Sequence, residues 1–378
     1  MKYQLQLAML LMLACCCAQA AEPEFSDVFV PKGDGYKSIR IPSVIVTRKG
    51  TVLAFAEGRA ANADQAQNKI VLKRSVDGGK TWAAIRTIAN DGANSLNNPC
   101  AVEEQKSGRV FLMYQRVPGH LKEHSKETAT GYEGPNVYRN LLIWSDDDGV
   151  TWTEPLDVSR STKRPTGATT VCSGPGIGIQ LTRGAHAGRL IMPFNEGPYG
   201  AWNNYAVFSD DQGATWTCGQ NVPNAMVGPR SQINEVQMVE LADGSVLLNS
   251  RQFAGQKVRK AAVSQDGGAT WSPIEDVPAL RDPSCMASVL RYSFADASHT
   301  SQILYSGPDS TKRSNGTLHV SFDEGKTWPV SRVLVPGSFG YSVLTRFTDE
   351  TIGCLFESDG KIIFARIPPD WLRDRAAP

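Results

Sequence analysis

The sequence has almost no net charge, with 39 Lys and Arg set against 38 Asp and Glu. A nucleic-acid surface shows as a strongly basic balance or stripe, and nothing here points to one. It also lacks any C-x-x-C pair. The five cysteines beyond residue 20 (Cys100, Cys172, Cys218, Cys285 and Cys354) are odd in number and widely spaced. Neither a zinc site nor a dense disulfide scaffold is supported, and the thiols read as small buried hydrophobes with one or two bridges at most. Long helical periodicity is missing throughout. What remains is ample apolar content, 41% of 378 residues, enough to build a sizeable core.

The first twenty residues differ from the rest. Lys2 gives a short positive region, Leu5 to Ala14 is almost unbroken apolar, and Ala18-Gln19-Ala20 forms a small-residue cleavage site. This is the pattern of a secretory signal peptide over 1–20, too short and wrongly flanked for a membrane span. A second reading takes Met12-Leu13-Ala14-Cys15 as a loose bacterial lipobox with Cys15 lipidated. Both place the working protein outside the cytosol: secreted or periplasmic, or else an outer-membrane lipoprotein.

An octet of the form Ser-x-Asp-x-Gly-x-Thr-Trp recurs five times, starting at Ser75, Ser145, Ser209, Ser264 and Ser321, with spacings of 70, 64, 55 and 57 residues. Five copies are far beyond chance. The Asp can accept backbone N–H groups across a tight turn, and the Gly supplies a backbone angle other residues resist. Thr and Trp are then expected to begin the next strand, with the indole as an apolar anchor. Strand-like runs such as Leu141 to Trp144 and Tyr205 to Phe208 precede the octets, so each one joins two strands of a hairpin. The octets lack the twelve-residue ligand spacing of an EF-hand and read as structural. A repeat of this length suits one four-stranded propeller blade, and residues 35–370 hold six such lengths. The expected fold is therefore all-β, a six-bladed β-propeller over 35–372. A lead-in over 21–34 precedes it and a tail over 373–378 follows. A closed ring converges loops from every blade on a central depression, so its site should draw on residues scattered along the chain.

The octet resembles the Asp-box of the sialidase (neuraminidase) family, and the likeness extends over nearly all of the chain beyond the leader. Ser38-Ile39-Arg40-Ile41-Pro42 is similar to that family's Arg-Ile-Pro motif. Ala54 to Arg59 followed by Asp64, then Asn234-Glu235-Val236-Gln237 leading to Asn249-Ser250-Arg251, match later segments. Arg313, Gly340-Tyr341-Ser342 and Cys354-Leu355-Phe356-Glu357 complete the set in order. The resemblance implies that Arg40, Arg251 and Arg313 grip a sialic acid carboxylate and that Glu357 holds Arg40. It implies Tyr341 as nucleophile, Glu235 as its base, Asp64 as acid/base, and Arg59 lining the pocket near the sugar 4-hydroxyl. Glu57 reads equally well as a salt-bridge partner within its blade. Gly340, Val343 and Phe356 depart from the commonest family residues at positions that do not carry the chemistry.

The residue types suit that chemistry. Three guanidinium groups meet a carboxylate with planar, permanently charged donors. A carboxylate nucleophile would repel the substrate's own carboxylate, whereas a phenol does not, and sialidases with a Tyr nucleophile are a known exception to the two-carboxylate rule. With an ordinary pKa near ~10, Tyr341 needs Glu235 to take its proton, and nearby arginines are expected to favour the phenolate. The outcome would be hydrolysis of terminal sialic acids with retention of configuration. A trans-sialidase and a non-catalytic, sugar-binding Asp-box propeller are the alternatives. The implied partners are sialylated glycans, with no nucleic acid, no membrane span, no metal, no cofactor, and a monomeric state.

Three other signals carry less. His120-Leu121-Lys122-Glu123-His124 fits H-x-x-E-H, but Pro118-Gly119 precedes it and no helical stripe supports it, so it reads as a loop near the rim of the site. The glycines of Thr169 to Gln180 precede no helix and make no phosphate loop. Asn315-Gly316-Thr317 is a glycosylation sequon so close to Arg313 that a glycan would crowd the pocket.

Overall fold

The computed structural model describes residues 21–373, so the expected signal peptide over 1–20, with Cys15, and the expected tail from 374 onward lie outside the described residues. Six blades close into a ring, as the repeat length predicts, each built on four antiparallel strands; Gly176–Ile177 adds a short parallel strand to blade two and Ile179–Gln180 a short antiparallel one to blade three. Blade one runs through Ser38–Val46, Val52–Arg59, Lys69–Ser75 and Arg86–Ala89. Blade two uses Ser95–Glu103, Val110–Val117, Arg139–Ser145 and Leu156–Asp157. Blade three uses Val171–Ser173, Leu190–Glu196, Asn203–Ser209 and Thr217–Cys218. Blade four uses Ile233–Glu240, Val246–Gln252, Val258–Ser264 and Glu275–Arg281. Blade five uses Ser288–Ser293, Gln302–Pro308, Ser314–Ser321 and Val330–Ser338. Blade six takes Ser342–Arg346, Ile352–Ser358 and Lys361–Ile367 from the C-terminal end and Glu24–Phe29 from the N-terminal end.

That last pairing corrects the expected boundary at residue 35. The segment 21–34 is no lead-in, because Glu24–Phe29 is the outermost strand of blade six, paired antiparallel with Lys361–Ile367. It also explains why five octets serve six blades. Each octet turns the third strand of a blade into the fourth, and blade six receives its fourth strand from the far end of the chain, so it has no such turn.

Within an octet the hydrogen bonds are local. Asp77 accepts from the Thr81 N–H at 3.0 Å and the Thr81 hydroxyl at 2.6 Å, while Ser75 Oγ accepts from Gly79 N at 2.7 Å. The other four copies repeat this set. The Thr N–H is thus committed to the Asp, and the Thr-Trp pair does not open the fourth strand as expected. The strand starts only after it, four residues beyond Trp82 in blade one. The Trp instead packs on the preceding blade: Trp82 on Phe364, Trp152 on Phe55 and Trp216 on Phe111, edge to face at 5.6, 5.7 and 5.8 Å. The octet Gly lies against the same neighbour. A Cβ on Gly213, where φ is +87°, would sit 2.2 Å from Phe111. The octet is thereby a turn and a clasp between blades.

Antiparallel order sends all five octets to one face of the ring. The opposite face carries the loops between second and third strands, and the starts of the innermost strands. Inner strands of blades one, two and four each carry a register shift at that end, between Arg40 and Ser43, Asn97 and Cys100, and Ile233 and Val236. Bulges bend a strand and re-aim its side chains. Beside the first one Ile41 is held at φ +61°, a conformation a β-branched residue adopts only under constraint. The five cysteines among the described residues are all free thiols. Among the described residues no helix is long and apolar enough to cross a membrane.

Candidate active site

Every candidate site residue from the sequence analysis comes to the octet-free face. Arg40 is the third residue of the inner strand of blade one, and Arg59 ends the second strand, with Asp64 on the loop that follows. Glu235 begins the inner strand of blade four and Arg251 ends its second strand. Arg313 precedes the third strand of blade five, Tyr341 precedes the inner strand of blade six, and Glu357 lies near the end of that blade's second strand. Seven of these eight line one cavity of about 360 Å³, and Glu357 stands behind Arg40.

At the floor Tyr341 Oη donates to Glu235 Oε1 at 2.6 Å and accepts from Arg251 Nη1 at 2.8 Å, which also reaches Glu235 Oε2 at 2.7 Å. The guanidinium carbons of Arg40 and Arg313 lie 5.2 and 5.1 Å from the centre of the Tyr341 ring. Glu357 accepts from Arg40 Nη2 at 2.9 Å and from the Ile41 N–H at 2.9 Å. One carboxylate therefore fixes both the arginine and the strained residue after it. Among the described residues no carboxylate forms an ion pair with Arg313; its Nη2 donates to the Ser284 carbonyl at 2.9 Å.

Asp64 stands at the mouth, its side chain 67% exposed, 2.9 Å from Arg59 Nη1 and 4.0 Å from Arg40. Its backbone carbonyl is tied down by Asn68 and Asn97. Arg59 itself is buried and pairs with fully buried Glu57 at 2.6 Å, and Glu57 also accepts from the Asn98 N–H. Of the two readings left open for Glu57, it is the ion-pair partner.

Burial pushes the Tyr341 phenol well above its ordinary 10, against the downward pull of Arg251. The arginines do pull toward phenolate, as expected, but in the resting site desolvation outweighs them, and the hydroxyl donates to Glu235.

Sequence reasoning missed part of the wall. Glu123, on the loop after the second strand of blade two, is half-buried in the cavity and raised to about 7 by burial, then by Glu235 and Asp64. Its loop is pinned to the Asp64 loop, with Lys122 Nζ on the Gln65 carbonyl and Glu123 N on the Gln65 side chain. The only signal was the position of H-x-x-E-H near the rim. Its two imidazoles part company, His120 to Asn136 and His124 to the Tyr199 ring. Tyr199, 53% exposed at the mouth, stands edge to face on Trp202, which packs on Phe253. Asn97 Oδ1, Tyr138 Oη, Thr170 Oγ1 and Arg251 Nε are buried around the cavity without a hydrogen-bond partner. Such atoms suit a ligand rich in polar groups.

Comparison with known proteins agrees with this geometry. The BNR repeat-like domain family matches residues 50–354. A sialidase of Micromonospora viridifaciens is 36% identical over 365 residues, covering 93% of this chain and 55% of that protein. This chain thus spans little more than half of that relative. Sialidase-3 of Bos taurus is 30% identical over 380 residues, covering 85% of this chain and 86% of that protein. Among solved structures, the Hadza microbial sialidase Hz136 superposes with a TM-score of 0.82 at 28% identity, over 92% of this chain and 69% of that one.

Proposed function

On the premise that this chain belongs to the sialidase family of BNR-repeat propellers, we propose that it is an exo-acting sialidase. It would release terminal sialic acid from glycoproteins, glycolipids and oligosaccharides through a tyrosyl-enzyme intermediate. One observation carries the reading. A buried phenol donates its proton to Glu235 while touching Arg251, inside a cavity where Arg40 and Arg313 flank its ring.

The sugar carboxylate lies among Arg40, Arg251 and Arg313, which sets its anomeric carbon over Tyr341. The Asp64 carboxyl gives a proton to the glycosidic oxygen as that bond breaks. Tyr341 Oη bonds the anomeric carbon from the other face and passes its proton to Glu235. Charge is then relayed from an embedded carboxylate to the reacting centre through a neutral phenol, so no second anion has to face the substrate's own. Asp64 next takes a proton from water, which attacks the anomeric carbon. Tyr341 leaves and recovers its proton from Glu235. Two displacements retain configuration.

Hydrolysis of a fluorogenic sialoside by the wild type and by Tyr341→Phe tests this. Turnover is expected in the first, with a loss of several orders of magnitude in the second; equal rates would overturn the nucleophile. No turnover in either would favour a binding-only propeller. Added galactoside acceptor separates hydrolysis from transfer by its products. The site would work outside the cytosol, as the leader-like sequence at 1–20 implies.

A further inference from the structure

Arg40 and Arg251 are each held by a carboxylate, whereas Arg313 rests on a backbone carbonyl, that of Ser284. Ser284 lies in the short linker from blade four to blade five and is held at φ +60°, a left-handed conformation uncommon outside glycine. Something must hold it there. Asp282 Oδ1 accepts from the Cys285 N–H at 2.8 Å, closing the linker over Ser284, and Oδ2 accepts from the Gln252 N–H at 2.7 Å. Gln252 follows Arg251 directly, and its Nε2 donates to Ser284 Oγ at 2.8 Å.

The charge of Asp282 is met by Arg259 at 3.0 Å, and each side chain of the pair is 1% exposed. Arg259 also donates to Asn249 Oδ1 at 2.7 Å and to the Cys285 carbonyl at 2.8 Å. A buried ion pair is weak evidence for stability, since desolvation offsets most of its attraction. What this pair does have is directional contact with two elements at once: the strand that ends in Arg251 and the linker that presents Ser284.

We propose that Asp282, charged and oriented by Arg259, is a positioning residue that sets the Ser284 carbonyl under Arg313 and fixes Arg313 relative to Arg251. The proposal rests on the reading above, in which both arginines grip the substrate carboxylate. Asp282→Asn keeps the shape of the side chain but leaves one acceptor oxygen for three donors.

KM for a fluorogenic sialoside is expected to rise about tenfold with kcat changed less than about twofold, because Arg313 holds the carboxylate in ground and transition states alike. In an Arg313→Ala background the same substitution should change kcat/KM less than about twofold, since its route of action is gone. Ser284→Gly, which adopts φ +60° freely but is not confined to it, should show a smaller rise that also vanishes with Arg313→Ala. Crystal structures of the variants should show the Arg313 guanidinium away from the Ser284 carbonyl.

A folded Asp282→Asn enzyme with unchanged KM, or a loss that persists without Arg313, overturns the proposal. If Asp282→Asn does not fold, unchanged KM in Ser284→Gly overturns it likewise. Should the wild type turn over no sialoside, the functional reading falls separately, and the position of Arg313 in the variant structures still decides this one.

Discussion

The side chains of the site work by opposed environments. Tyr341 is kept protonated by burial while its hydroxyl points at Glu235, so the proposed nucleophile is stored in an inert form. Glu123 shows the same effect on an acid. Burial and the neighbouring Glu235 and Asp64 raise it to about 7, above the ordinary 4.5. The neutral form is therefore favoured in the fold. Its contribution to stability is complete below the ordinary carboxylate range and is lost as pH rises through about 7. Above that pH it also adds a negative charge to a cavity that, on the proposed function, takes an anionic sugar. Glu123→Gln should accordingly match the wild type at about pH 4 and surpass it at about pH 8, with a lower KM and a higher melting temperature. A pH series of both quantities checks this, and a constant offset at every pH would contradict it. Glu123 was not legible in the sequence, for physical reasons. Arg40, Glu235, Arg251 and Tyr341 lie at strand ends inside short, recognisable segments. Glu123 lies mid-loop, and only Lys122 and Gln65, pinned across two blades, bring it to the cavity.

The octets were legible as hairpin turns because their Ser, Asp, Gly and Thr satisfy one another within eight residues. Their second role was not, because it depends on what the neighbouring blade presents. Gly213 separates the two. Its φ of +87° demands glycine on backbone grounds, and its close approach to Phe111 demands it again. Gly35, at φ +82°, has nothing within 4 Å of where a Cβ would stand. Gly35→Ala should therefore cost only the left-handed penalty, on the order of 1 kcal/mol. Gly213→Ala should cost about 3 kcal/mol, because Phe111 must move or the blades must part. Denaturant unfolding of the pair measures the difference. Equal losses would show that the octet glycine serves its turn alone.

At the scale of the molecule the decisive joint is the one where the chain's two ends meet. It was not legible in the sequence, since Glu24–Phe29 carries no octet and its partner lies more than three hundred residues away. The joint bears directly on the site, because the Arg40 to Glu357 contact spans from blade one to blade six. Around it Lys361 pairs with Asp27 at 2.7 Å, Trp82 Nε1 donates to Ser26 Oγ at 3.0 Å, and Ser26 donates to the Gly79 carbonyl at 2.7 Å. Phe29 is fully buried in the same core as Phe364 and Val343. Phe29→Ala removes a large core ring, a change that costs about 3–5 kcal/mol in typical cores. The loss should be local, since the joint is held by strand pairing and not by a continuous chain. Hydrogen exchange in Lys361–Ile367 should quicken at temperatures where the inner strand of blade four, Ile233–Glu240, stays protected. Activity should fall with the first transition, as Arg40 loses the carboxylate that aims it. If both strands lose protection together, the ring opens as one cooperative body and the joint is no weaker than the turns.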